Sequence, residues 1–442
     1  DLSSSAAFKL AAQPAPMSEG QAGDQRQPPP QVAQRLVAAL QECLQGTDAA
    51  PWVDRIEATG GFVNLWLSPK ALAHTVVQIR RQRHGYGMSR LGLGQSVVIE
   101  FVSANPTGPL SVAHGRQAAV GDALARLLRS QGWRVTAEYY LNDEGHQIDL
   151  LGQSLRTRCL QALGGTEPFP EDGYHGTYVT ELAKTLVARY RRRLAEEPLA
   201  WFSAQGMTAQ LAEITRDLDR FGLRFDRWSS QRRLRISGRI DRALARLKAN
   251  DLLYESDGAL WFCSTKFGDD KDRVVRKQDG ELTYLAPDIA YHEWKFQRGY
   301  DRLINLWGPD HHGYIARLKA AMAALGRPAE ALLVRIVQLV TLSRHGKPVP
   351  MSKRQGEFVT FREILDEVGV DATRFFYLMR TMESHLDFDL DLAKSQSNDN
   401  PVYYVQYAHA RICSVLQYAR AQLPWFSRLG PADLALLGEP EE

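Results

Sequence analysis

Three features of this sequence predict an α/β fold built around a parallel sheet. An apolar run breaks at a Pro/Gly loop and gives way to a helical pattern, a second strand-like run follows that helix at once, and two more appear far downstream. Val97-Val98-Ile99-Glu100-Phe101-Val102 is the first run. The helix after it places Val120, Leu124, Leu127 and Leu128 on one face and stops near Gly132. Trp133 to Tyr140 then reads as the next strand, which completes a βαβ unit, and such a unit requires parallel strands.

Before this unit, Ala12 to Pro30 is rich in Pro, Gln, Gly and Ala and is read as a loop or disordered segment. A helix near Val32 to Leu44, a Gly60-Gly61 turn and a strand from Phe62 to Leu67 make a small amino-terminal α/β module, closed by a linker from Arg81 to Gly94. After it, about Leu150 to Lys277 reads as a mostly helical insertion, and strands at Arg302 to Trp307 and Val334 to Leu342 resume the sheet. Thr360-Phe361-Arg362-Glu363 is a capping box, and Asp371 is expected to cap the next helix. From Pro401 a helical pattern begins, which looks like the start of a bundle.

Composition excludes more than it names. With 54 basic and 51 acidic residues the net charge is only +3, so indiscriminate coating of nucleic acid is not expected and any RNA contact must come from local patches. The four cysteines, Cys43, Cys159, Cys263 and Cys413, are far apart and read as reduced intracellular thiols. No apolar run is long enough to cross a bilayer and no signal peptide opens the chain, so a cytoplasmic protein is expected. The absence of an initiator methionine and the Pro/Glu-rich ending at Glu442 suggest a fragment incomplete at both ends, with Met17 as an alternative start.

Chemistry concentrates in four segments. Ser103-Ala-Asn105-Pro-Thr-Gly108-Pro109-Leu-Ser111-Val-Ala113-His114-Gly-Arg116 joins a strand end to a helix start, where backbone N–H groups and the helix dipole favour phosphate and His114 can donate to developing charge. An ordinary strand-to-helix turn with an exposed histidine is the alternative. The segment lacks the Gly-x-Gly-x-x-Gly of dinucleotide sites, which argues against NAD. His345-Gly-Lys347-Pro-Val-Pro-Met351-Ser352-Lys353-Arg354 is a basic loop that can bind polyphosphate or be a solvated hairpin. In Trp307-Gly308-Pro-Asp310-His311-His312-Gly313, Asp310 suits ribose hydroxyls and Gly308 leaves room for a base; a metal site is the rival reading of the two histidines, and no protein metal site is expected. Tyr284-Leu-Ala-Pro-Asp288 offers a guanidinium a ring and a carboxylate, unless Asp288 merely complements a helix terminus. Asp387, Asp389 and Asp391 alternate with apolar residues, which fits a half-buried strand better than a metal cluster.

Taken together, these segments and Ser384 to Leu392 resemble arginyl-tRNA synthetases, especially bacterial ones, in motif order and spacing from near the first residue to the last. The resemblance implies a Rossmann-type catalytic domain over 95–380 with an insertion at about 150–277, a tRNA-elbow-binding α/β domain over 1–85, and the start of a helical anticodon-binding bundle over 385–442. It implies arginine-tRNA ligase activity with L-arginine, Mg·ATP and tRNA(Arg) as substrates, in a monomer, with neither DNA nor membrane as partner. By the same resemblance His114, Lys353 and Ser111 are catalytic. ATP is held by Gly108, Pro109, His114, Gly308, Asp310, His311, Met351, Ser352 and Lys353, and arginine by Asn105, Tyr284 and Asp288. Where the family usually has His-x-Gly-His, this chain has Ser111-Val112-Ala113-His114: Ser111 keeps a donor but loses a possible cation, and Ala113 adds a methyl. That departure admits a second reading, a pseudo-synthetase that binds without turnover. A third, a nucleotidyltransferase with another acceptor, is disfavoured by Tyr284 and Asp288.

Overall fold

The computed structural model describes residues 2–12, 27–349, 359–423 and 425. The chain divides into two compact units, one of 89–412 and one of 1–88 with 413–442.

In the larger unit a five-stranded parallel sheet has the spatial order Leu332–Ile336, Arg302–Trp307, Ser96–Glu100, Arg134–Leu141, Arg227–Ser230. The chain leaves Ser96–Glu100, builds the sheet outward in one direction, then returns to that strand's other side through Arg302–Trp307. The order therefore reverses between Ser96–Glu100 and Arg302–Trp307, and the crevice at their carboxyl ends is where such sheets take ligands. Ser96–Glu100 is buried throughout, as a central parallel strand with both faces covered should be. The Val112–Ser130 helix packs against it closely. On another side of this helix Gly115 admits the Phe361–Val368 and Val370–Leu378 helices, since a Cβ there would lie 2.5 Å from the Phe361 ring and 2.9 Å from the Tyr377 hydroxyl.

The structure corrects several sequence expectations. The 150–277 segment is helical at His146–Ala162, Thr177–Tyr190 and Leu199–Arg220, but its Arg227–Ser230 strand joins the main sheet beside Arg134–Leu141. Four residues, Arg-Trp-Ser-Ser, are too few and too polar to carry a periodic signal. The segment also holds a small antiparallel sheet of Leu253–Ser256, Ala259–Phe262 and Arg273–Arg276. Val334 to Leu342 is not one strand: Leu332–Ile336 ends on the main sheet, and Val340–Arg344 pairs instead with Lys347–Pro348 and Leu386–Asp389. The strand among the aspartates is real but short. Asp389 caps the Leu390–Lys394 helix by accepting from the N–H groups of Asp391 and Leu392, so Asp391 lies beyond the strand. Gly369, not Asp371, is the N-cap of the Val370–Leu378 helix, because the turn needs a positive φ of 80°. The Thr360 capping box with Glu363 is present as read.

In the smaller unit Phe62–Leu67 pairs antiparallel with Val53–Thr59 across the Gly60-Gly61 turn, and Leu2–Ser4 adds to its other edge. The helix begins at Pro29 rather than Val32, since Pro29 and Pro30 fit a first turn whose N–H groups have no helical partner. A helix from Pro401 to Gln422 follows the larger unit's last strand, and among the described residues no helix is long and apolar enough to cross a membrane.

Candidate active site at the sheet switch point

The first site segment begins under strain. Val102 and Ser103 have φ of 66° and 39°, a region that a β-branched residue such as Val102 rarely occupies. The two turns re-aim the chain between Glu100, the last residue of the central strand, and Asn105. Packing holds them there: Val102 is buried, and the Ser103 hydroxyl accepts from the Tyr140 N–H at 3.0 Å and donates to Glu100 at 3.2 Å. The 146–190 helices grip the loop that follows. Asn105 Nδ2 donates to Gln147 Oε1 at 2.6 Å, the Tyr178 hydroxyl donates to the Thr107 carbonyl at 2.8 Å, and a Cβ on Gly108 would fall 2.9 Å from that hydroxyl.

Ser111 is the N-cap of the Val112–Ser130 helix and His114 is its third residue. The Ser111 N–H donates to His114 Nδ1 at 3.1 Å, and the Ser111 hydroxyl lies 3.1 Å from the same atom. An N–H can only donate, so Nδ1 is the acceptor and Nε2 carries the ring proton. His114 thus takes the place that Glu or Gln fills in an ordinary capping box, and its tautomer is set by the backbone.

Gly308 and its neighbours follow the adjacent strand Arg302–Trp307, in a short 3-10 turn from Pro309 to Tyr314. Gln117 of the Val112–Ser130 helix comes within 3.8 Å of where a Gly308 Cβ would stand, so the two loops flank one crevice. Asp310 and His311 face each other at 3.4 Å and both are exposed. Among the described residues no three His, Cys, Asp or Glu side chains are grouped as a metal site would need. Met351, Ser352 and Lys353 lie outside the described residues. The hairpin leading to them, Val340–Arg344 with Lys347–Pro348, turns on His345 and Gly346, both at positive φ, and Asp391 accepts from the His345 N–H.

Asp288 opens the Leu285–Gln297 helix and is part-buried. Burial pushes its carboxyl up to about 7; the Tyr314 hydroxyl and Lys295 oppose the shift and Glu100 adds to it. That hydroxyl is buried and makes no hydrogen bond of ordinary geometry, yet it faces Asp288 closely enough to act on it. Tyr284, the N-cap of the same helix, has a side chain 87% exposed, and Tyr314 and Tyr140 are phenols that act on Asp288.

Behind Asp288 lies a buried polar network. His292 Nδ1 donates to the Asp288 carbonyl at 2.8 Å, Asn305 Nδ2 donates to His292 Nε2 at 2.6 Å, Lys295 donates to Asn305 Oδ1 at 3.3 Å, and Lys295 is ion-paired with Glu100. Burial, then Lys295, holds His292 well below the usual imidazole range, which keeps it neutral. Glu138 ties the far side together, accepting from Ser229, Tyr291 and Arg298. Sequence reading missed Glu100, Lys295, Tyr314, Tyr140, Gln147 and Tyr178. Two signals were there: Glu100 is the one charge in an apolar run, and Asp288, His292 and Lys295 recur at i, i+4 and i+7, one face of a helix.

Known proteins share this chain's sequence and fold. Residues 75–382 match the family model described as tRNA synthetases class I (R), catalytic domain. An arginine–tRNA ligase of Geobacillus kaustophilus is 50% identical over 402 residues, which cover 90% of this chain and 71% of that protein. One of Citrifermentans bemidjiense is 48% identical over 426 residues, covering 95% and 76%. A crystal structure of a presumed arginyl-tRNA synthetase from Campylobacter jejuni superposes with a TM-score of 0.75 at 37% identity, over 80% of this chain and 78% of that one. A Thermus thermophilus arginyl-tRNA synthetase, at 22% identity and a TM-score of 0.66 over 99% and 83%, shares the fold. With its parallel sheet, its switch-point crevice and these relatives, the chain belongs to the class I arginyl-tRNA synthetase family.

Proposed function

We propose that this chain is an arginine–tRNA ligase. It binds L-arginine and Mg·ATP in the crevice between Ser96–Glu100 and Arg302–Trp307. The arginine carboxylate attacks the α-phosphorus of ATP and releases diphosphate, and a hydroxyl of the terminal adenosine of tRNA(Arg) then attacks the arginyl carbonyl and releases AMP. The observation that carries the substrate assignment is Asp288: a carboxyl beside buried phenols, with no Lys or Arg ion-paired to it among the described residues, suits a planar guanidinium that binds in pairs of hydrogen bonds.

His114 Nε2–H, aimed by the Ser111 cap, donates to ATP oxygens as charge develops, and Gly108, Pro109, Gly308, Asp310 and His311 line the nucleotide's place. Asn105 contacts the amino-acid end of arginine, and Met351, Ser352 and Lys353 form the loop that steadies the phosphates. The 1–85 segment binds the tRNA elbow, 385–442 begins the anticodon-binding bundle, and the enzyme works as a cytoplasmic monomer.

The test is arginine-dependent ATP/diphosphate exchange, with and without tRNA(Arg), on this chain and on a Ser111→His, Ala113→Gly double variant. Exchange specific to arginine in the native chain establishes the ligase. A silent native chain rescued by the double variant would instead make it a pseudo-synthetase.

A further inference from the structure

The Val112–Ser130 helix buries a cation to which the ligase reading gives no work. Arg116 is fully buried, and among the described residues no carboxylate pairs with it. Its guanidinium goes to main-chain carbonyls instead: Nη1 donates to Gln338 at 2.9 Å, to Leu339 at 3.4 Å and to Ser384 at 2.8 Å, and Nη2 donates to Thr381 at 2.9 Å. These carbonyls belong to two separate stretches of chain. Gln338 and Leu339 lie where the chain leaves the main sheet at Ile336 and enters Val340–Arg344; Thr381 to Ser384 lead into Leu386–Asp389, the parallel partner of that strand. A buried charge is costly, and an apolar side chain of similar volume would fill the space without that cost. What a planar fork of donors adds is geometry: it fixes both stretches to one point of a helix.

That point is two residues past His114. Two residues along a helix turn the side chain through about 200°, so the imidazole and the guanidinium leave it on nearly opposite sides. The residues just before them meet the chain again further on: the Phe361 N–H donates to the Leu110 carbonyl at 2.7 Å, and Ser111 forms a β-bridge with Thr360. Leu110 to Arg116 therefore holds the chain both before Val340 and after Val359. Between these anchors the hairpin presents Lys347, which is exposed.

We infer that Arg116 is a positioning residue for ATP: it fixes the root of the Val340–Arg344 hairpin relative to His114, so that donors of the helix turn and of the hairpin meet one polyphosphate chain at one spacing. This rests on the ligase reading only in that ATP is the ligand, and it assigns Arg116 no contact with the nucleotide. Positioning and binding are then reciprocal. If the clamp favours ATP, ATP favours the clamp by the same factor. Lysine keeps the charge but lacks the rigid fork, so Arg116→Lys separates the one from the other.

The experiment measures ATP and arginine affinities by titration calorimetry, and ATP/diphosphate exchange, for the full chain, Arg116→Lys, His114→Ala and the double variant. Asp122→Asn is the control: Asp122 is a second buried charge on the same helix, and its partners Arg126 and Arg374 lie outside the hairpin. Arg116→Lys should weaken ATP binding by about tenfold or more, while arginine affinity changes by less than about twofold. Asp122→Asn should lower the unfolding midpoint and leave ATP affinity within about twofold of native. The loss of ATP/diphosphate exchange caused by Arg116→Lys should shrink in the His114→Ala background, because a misplaced hairpin matters less once the donor it is registered against is gone. Equal losses for ATP and arginine, or exchange losses that simply multiply, would make Arg116 a packing residue and overturn the inference. If Arg116→Lys does not fold, the native chain decides by NMR: ATP should slow the escape of the Arg116 Nη protons to solvent and arginine alone should not, and protons indifferent to ATP overturn the inference. A native chain that binds ATP without arginine-dependent exchange overturns the ligase reading alone, and the ATP affinities still decide for Arg116.

Discussion

Replacing one carboxylate oxygen of Asp288 by an amide nitrogen, Asp288→Asn, keeps the side chain's size and removes its charge. Loss of a charge-assisted pair of hydrogen bonds costs about 1.5–3 kcal/mol, so the KM for arginine should rise by about 10- to 100-fold while that for ATP changes by less than about twofold. Steady-state kinetics in each substrate checks this, and equal changes in both would refute the assignment. At this scale the sequence was informative where a residue type is rare in its setting and silent where a partner comes from far away. Asp288 stood out only through the family resemblance, because a carboxylate in the first turn of a helix ordinarily just complements its amino terminus. Tyr314 did not stand out, because only the fold carries the turn after Trp307 back over Asp288. Tyr284 shows the converse: it is the N-cap of the same helix, one turn before Asp288, and its side chain is 87% exposed, which its sequence neighbours do not signal.

Among the elements, the Val112–Ser130 helix packs closely at Gly115. Gly115→Ala would drive a methyl into the Phe361 ring and the Tyr377 hydroxyl, both fully buried, so neither can retreat into solvent. The expected cost is about 1–3 kcal/mol, read as a lower midpoint in urea with an unchanged slope. Long periodic elements were well read: this helix, the Phe62–Leu67 strand and the Thr360 cap all appear near their expected bounds. Arg227–Ser230 was hidden because four residues hold less than two periods of alternation, and its membership of the sheet depends on hydrogen bonds to Glu138–Leu141, nearly ninety residues earlier. The break between Ile336 and Val340 was hidden for a different reason: both halves are β-formers, and only their partners distinguish one sheet from the other.

For the whole molecule, each compact unit contains its own hydrophobic cluster, one around Ala7, Ala33, Ile56 and Val63 and the others within 97–402. Units with separate cores need not melt together, so calorimetry should record more than one transition, with the small four-residue core lost first. A single two-state transition would show that the units stabilise one another. The two hydrogen bonds that cross from the nucleotide loop to the 146–190 helices, Asn105 to Gln147 and Tyr178 to Thr107, also reach beyond the crevice. If ATP binds more tightly when those helices hold this position, a macromolecule that favours the same position tightens ATP binding, and ATP tightens that partner's binding by the same factor, because the two routes round the cycle have equal free energy. A measured affinity for either ligand is therefore a property of what else is bound, and one constant quoted alone describes only one corner of the cycle.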